Sequence, residues 1–265
     1  MSILRRRFPG RFFFIINPLF NLVSGRYIYH MNHFVDAHCH YDADAFCNYC
    51  GGGLFICNAT CESQWSAILN GARDDNRIIP AIGIHPWHVS ESRPGWDVRM
   101  RDVLVQNPHA MVGEIGLDMT RADVQVQLGF FQRQYEMAAD LRRGVHIHCV
   151  HAWDAMLRVL RDCPPPPVIV MHRFSGSTEI LNQIVSTVNN TFFSYQGISG
   201  VRTRRSVCNT PVNRILVESD AFGPAPDVVR CAVEQIADIR GMSTDGMSDT
   251  VYQNATKVIK DGQTA

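Results

Sequence analysis

The sequence predicts a (β/α)8 TIM-type barrel in a single domain. Three observations point there. Short apolar runs alternate with helical patterns along the body of the chain, eight such runs can be counted, and His, Glu or Asp recurs at the C-terminal end of several of them. A doubly wound open sheet is the alternative that periodicity alone leaves open. The polar residues favour the barrel, because the strand ends on one face of a barrel are where active sites form.

The runs are as follows. Phe34 to His38 reads as the first strand. Gly53 to Ala59 reads as a second, with Glu62 to Ala72 helical after it. Ile78 to Ile84 is a third, and Ala110 to Ile115 a fourth. A long helix from about Asp123 to Arg143 carries Phe130, Phe131, Tyr135, Ala138 and Leu141 at helical spacing. Val145 to Cys149, Val168 to Met171, Thr191 to Tyr195 and Ile215 to Glu218 complete the eight. The run Pro164 to Pro167 stops a helix just before the sixth strand. Trp153 to Leu160 and Val228 to Ile239 are further helices.

With 265 residues, 46% hydrophobic and 19% charged, the chain suits one large core and not a disordered segment. Lys+Arg and Asp+Glu are both 25, so a general electrostatic grip on nucleic acid is excluded, and any such grip must be local. Nine Cys with no evident disulfide framework point to a reducing compartment, cytoplasmic or nuclear. Residues 1–33 are set apart from the barrel of residues 34–265. They carry Arg5, Arg6, Arg7, Arg11 and Arg26 and no acidic residue. Met31 as the true start, a transit peptide (which would make the protein mitochondrial) and a membrane anchor are the readings of this stretch. The run Phe12 to Ile16 is too short for a span, so no stable membrane association is expected.

The chemistry gathers at strand ends. His38 and His40 in Asp36-Ala37-His38-Cys39-His40 are two residues apart and face the same way on a strand. Glu114, flanked by Gly113 and Gly116 in Val112 to Asp118, would be an unpaired buried charge unless a cation neutralised it. The fifth strand offers His146 and His148, of which strand twist leaves one or both at the site. The sixth ends in His172 and the eighth in Glu218-Ser219-Asp220. Any one of these is unremarkable as a core His or a surface carboxylate. Together they fall in one register on different strands, which a scatter of core residues has no reason to do.

The motifs DAHCHYD from Asp36, AIGIHPW from Ala81, VGEIGLD from Val112, VHIHC from Val145, HRFSG from His172 and VESDA from Val217 resemble, in order and spacing, the TatD family of metal-dependent deoxyribonucleases within the wider amidohydrolase-like group. The resemblance runs from about Phe34 to Ile259. It implies that His38, His40, Glu114 and Asp220 hold one divalent ion, and that Glu114 bridges to a second held also by His148 and His172. It further implies a DNA substrate, attacked at strand ends by an exonuclease. Two ions would clamp a phosphodiester, with Asp220 taking the proton from the attacking water. His and carboxylate ligands suit Zn²⁺ or Mn²⁺, whereas Mg²⁺ prefers oxygen, although the family is described as magnesium-dependent. Two other readings are a hydrolase of an amide or ester, including an aminoacyl linkage, and a barrel that binds metal without turnover.

Lesser candidates are His85, for substrate phosphate or as a structural His before Pro86, and Arg173, to meet a phosphate. Asp118 would orient a ligand or cap a loop. Ser175 to Ser177 would open a helix whose N–H groups face an anion. Cys47-x-x-Cys50 and Cys57-x-x-x-Cys61 are too closely connected for a zinc ribbon and read as buried thiols. The loop Ala221 to Pro226 is shortened relative to the family pattern, and Cys149-Val150-His151 lacks the basic residue common there; both bear on the substrate.

Overall fold

The computed structural model describes residues 34–121 and 123–263. The expectations for residues 1–33 lie outside these described residues.

Eight parallel strands pair in strict chain order: β1 (Val35–Cys39), β2 (Leu54–Asn58), β3 (Ile78–Ile82), β4 (Met111–Asp118), β5 (Val145–Val150), β6 (Ile169–Met171), β7 (Thr191–Tyr195) and β8 (Ile215–Val217). The helices between and after them are α1 (Ala43–Asn48), α2 (Trp65–Asp74), α3 (Trp96–Gln106), α4 (Val124–Asp140), α5 (Trp153–Asp162), α6 (Thr178–Thr187), α7 (Gly200–Asn209), α8 (Pro226–Arg240) and α9 (Thr244–Gly262). This is the (β/α)8 barrel, and the open-sheet alternative falls. The return from β8 to β1 is made by loop backbone: Asp220 N donates to His38 O (3.0 Å), His40 N to Ala221 O (2.8 Å) and Gly223 N to His40 O (2.8 Å).

Alternation along each strand divides the core. Outward-facing Phe55, Ile82, Ile115, Ile147, Met171, Phe193 and Val217 pack under helix residues such as Trp65, Leu104, Phe131, Tyr135, Leu160, Ile184 and Ile236. Inward-facing Ile56, Val170, Phe192 and Leu216 join Met111 and the α9 residues Ala255 and Val258 in a second apolar cluster. They sit two residues below Asn58, His172, Ser194 and Glu218 on the same strands. Polar side chains therefore occupy the next layer up, at the C-terminal mouth.

Several boundaries move from the sequence reading. Gly53 stays outside β2, and β3 stops at Ile82, because the chain turns off toward His85, whose N donates to Thr60 O (2.9 Å). The fourth strand runs on to Asp118, so Glu114 lies within it and not at its tip. Gly116 makes that continuation workable: with φ at 147° it approaches β5 so closely that a Cβ would collide with the His148 carbonyl. The thiol reading holds only in part. Cys57 is buried with its sulfur 3.6 Å from that of Cys39, but Cys47 and Cys50 are exposed, since α1 and the loop after it lie on the surface.

Candidate active site

Glu114 stands at the centre of the mouth. One carboxylate oxygen, Oε1, lies 3.0 Å from His148 Nδ1, 3.4 Å from His172 Nε2 and 3.4 Å from His85 Nε2. The other, Oε2, lies 3.3 Å from His38 Nε2 and 4.0 Å from His40 Nε2. Asp220 closes the remaining side, its Oδ1 3.3 Å from His40 Nε2 and 4.0 Å from both His38 Nε2 and His172 Nε2. The structure thus brings together His38, His40, Glu114, His148, His172 and Asp220. His85 stands as near Glu114 as His172 does. Arg173 is placed at the edge, its Nη1 2.9 Å from Asp220 Oδ2 and its side chain largely exposed.

Supporting residues fix these side chains. Asp36 is fully buried and its Oδ1 accepts from Ser219 N (2.9 Å) and His38 N (3.3 Å), tying the end of β1 to the segment after β8. On α4, Gln134 brackets the Ile84 backbone beside His85, and Gln127 brackets that of Asp118. Asp118 lies 3.4 Å from His148 Nε2 and accepts from the Trp87 indole (2.6 Å), while its other oxygen caps the following loop by accepting from Thr120 N (2.8 Å), so both alternatives expected of it are met in the geometry. Ser177 caps α6 by accepting from Ile180 N, so the helix opens where the serines predicted. Arg173 and Asp220 each follow a strand with φ in the left-handed region, at 45° and 52°. Such a backbone costs roughly 1–2 kcal/mol per residue, and it turns both side chains toward the mouth.

The electrostatics single out Glu114. Burial alone would raise its pKa, but the surrounding His172, His85 and His38 and the hydrogen bond to His148 overcome that and hold it well below the carboxylate range. It is the anion of the site. Asp220 is likewise held low against burial, by His40 first and then by His172 and His38. Burial keeps His38 and His85 below the usual imidazole value and takes His172 down to about 4. His40 and His148 go the other way: burial opposes their charge, but the contact to Asp220 for the first and to Glu114 for the second outweighs it.

Among the described residues, three groups of side chains are close enough to share a cation: His38, His40 and Glu114; His85, Glu114 and His148; and His38, His172 and Glu218. His38 Nδ1 is buried without a hydrogen-bonding partner, and Nε2, equally buried, faces Glu114 Oε2 at 3.3 Å without an aligned hydrogen bond. A buried imidazole left in that state beside a carboxylate suits a lone pair aimed at an ion. The residues present therefore fit a divalent metal.

Glu218 was missed as a site residue by the sequence reading. It is completely buried, with Oε1 3.0 Å from His172 Nδ1 and Oε2 in short contact with Ser194 Oγ. Its spacing of two from Asp220 was the available signal, since it places both on one face. His146 was left open; it faces inward below His148, fully buried and without a partner at either nitrogen, and burial holds it neutral.

A (β/α)8 barrel with imidazoles and carboxylates from five strands converging at its C-terminal mouth is the architecture of a barrel hydrolase. The comparisons with known proteins are more specific. The family model described as "TatD related DNase" matches residues 35–260. The 3'-5' ssDNA/RNA exonuclease TatD of Erwinia billingiae is 30% identical over 229 residues, covering 78% of this chain and 87% of that protein. The human 3'-5' RNA nuclease TATDN2 is 27% identical over 174 residues, 60% of this chain and 22% of that protein. Among solved structures, YJJV, a TatD homologue from Escherichia coli K12, superposes with a TM-score of 0.77 at 22% identity, covering 85% of this chain and 97% of that one. The chain belongs to the TatD-related DNase family, and it is an enzyme of the hydrolase class.

Proposed function

We propose that this protein is a metal-dependent 3'-5' exonuclease of single-stranded DNA or RNA. The observation that carries the reading is the placement of the Glu114 carboxylate within 3.4 Å of imidazole nitrogens from four residues, His38, His85, His148 and His172. An ionised buried carboxylate so surrounded is a cation site, and curated relatives bearing the family's sequence are named exonucleases of single-stranded nucleic acid.

His38, His40 and Asp220 would hold one ion and His148 and His172 a second, with Glu114 shared between them. Divalent ions held there would neutralise a phosphodiester and acidify a water. Asp220, whose Oδ1 faces the centre, would accept the proton of the attacking water. Arg173 holds the other oxygen of Asp220 and is free to shift to a substrate phosphate, being exposed. His85, beside Glu114, orients the phosphate from the opposite side.

The test is a time course on a 5'-labelled single-stranded oligonucleotide with protein stripped of metal and then given Mg²⁺, Mn²⁺ or Zn²⁺. A ladder shortening from the 3' end is expected, lost in His148→Ala and Asp220→Ala. Degradation that persists in excess chelator, or none with any of the three ions, would refute the proposal.

A further inference from the structure

Two large aromatic side chains stand out from the surface beside the candidate centre, and the exposed ring face of neither has been given a role. Phe222 is 66% exposed, yet it is not loose. It pairs with His40 as a parallel bridge, pinned by the backbone bonds from His40 N to Ala221 O and from Gly223 N to His40 O, both 2.8 Å. Its ring packs at a tilt against His40, with centroids 5.1 Å apart and planes at 32°. Trp87 leaves β3 on a different side of Glu114 and is 48% exposed. Its indole N–H is held by Asp118 Oδ2 at 2.6 Å, its ring stands edge-on to His85 at 5.1 Å, and the Arg121 guanidinium lies over it at 4.4 Å.

Apolar ring surface in water is unfavourable, by about 25 cal/mol for each Å² left uncovered. Here it is held rigid, at two places, each in contact with a His that itself touches Glu114 or Asp220. A flat π face at each place is what a nucleobase covers. Bases in a duplex already cover one another's faces, so only unpaired ones can use such platforms. The zero net charge agrees: without a broad basic surface, affinity has to come from contacts other than phosphate neutralisation.

We propose that Phe222 and the Trp87–Arg121 pair are stacking platforms for unpaired bases flanking the phosphodiester at the Glu114 centre. The proposal rests on the nuclease reading and adds to it the feature of the substrate that is recognised, an open base face. Every base has one, so the platforms tolerate sequence.

The experiment compares two single-stranded oligonucleotides, one ordinary and one abasic at its last two 3' positions, with the full-length metal-loaded protein. The ordinary strand is expected to have a kcat/KM about tenfold higher, mostly through KM. Phe222→Ala should shrink that ratio severalfold and Phe222→Tyr should keep it; circular dichroism checks that both fold. Trp87→Phe, which keeps a ring but loses the bond to Asp118, should retain more of the ratio than Trp87→Ala. Equal rates on the two strands, or an undiminished ratio in Phe222→Ala, would overturn the platforms. If neither strand is cleaved, the nuclease reading fails, and anisotropy titration of the same labelled strands in chelator decides the stacking by itself. Binding about tenfold tighter to the ordinary strand supports it; equal or absent binding sinks it.

Discussion

Glu218 Oε1 lies 3.0 Å from His172 Nδ1, and neither side chain is open to solvent beyond a few per cent. For Nε2 of His172 to offer its lone pair toward the centre, Nδ1 must carry the proton, and Glu218 is the acidic side chain beside that nitrogen. Replacing Glu218 with Ala is expected to weaken divalent-ion affinity about 10- to 100-fold while the barrel stays folded. Calorimetric titration with Mn²⁺ measures this, and an unchanged affinity would remove Glu218 from the site.

Glu114 is the shared carboxylate of two of the three candidate cation groups. Glu114→Gln keeps its size and removes its charge. Turnover should fall by at least about a hundredfold and bound metal should drop in elemental analysis, with no loss of the far-ultraviolet dichroism of the fold. Retention of full metal content would contradict the arrangement.

The site also predicts how stability depends on pH in chelator. Burial pushes Glu218 up to about 8 from an ordinary 4.5, and His40 and His148 are raised above 6.5 by Asp220 and Glu114 against burial. The lowered imidazoles of His38, His85, His146 and His172 oppose this near about pH 6.5, where the unfolded chain still protonates them. Above that, toward about pH 8, the raised groups dominate, the native state binds more protons than the unfolded chain, and stability falls as pH rises. Metal reverses the slope, because its imidazole ligands must be free of protons. Thermal melts at three pH values, with and without Mn²⁺, test the two signs. A metal-free Tm that climbs across this window would be the wrong result.

Gly116→Ala places a methyl group against the His148 carbonyl at a positive φ. A loss of at least about 2 kcal/mol is expected, a drop of roughly 4–8 °C in Tm for a chain of this size. Gly129→Ala, in the exposed middle of α4 with open space around it, should instead gain up to about 1 kcal/mol. Similar Tm shifts for the two would show that β4 and β5 do not approach as described.

Much of this was legible in residues. The eight apolar runs became eight strands, and the polar residues at their ends became the mouth, because a period of two and the choice of β-branched and aromatic residues are local properties. The helices α3 and α7 were not placed in advance: their apolar stripes are weak, with Val98 and Val105 of α3 and Val201 of α7 exposed, so packing against neighbours defines them. Glu218 and Asp36 were visible as letters, and the spacing of Glu218 from Asp220 hinted at a shared face, but only the fold made them fully buried partners of His172 and of the β8–β1 closure.

By itself the sequence determined which residue types lie on each strand, and hence that imidazoles and carboxylates share its inward face. Only the closed barrel decided which of them meet: that Glu114 stands among four imidazoles, that Arg173 reaches Asp220, and that Phe222 and Trp87 flank the mouth. The reason is range. Alternation acts over two residues, whereas Asp36 and Ser219 are brought to 2.9 Å only when eight strands have curled far enough to join the last to the first.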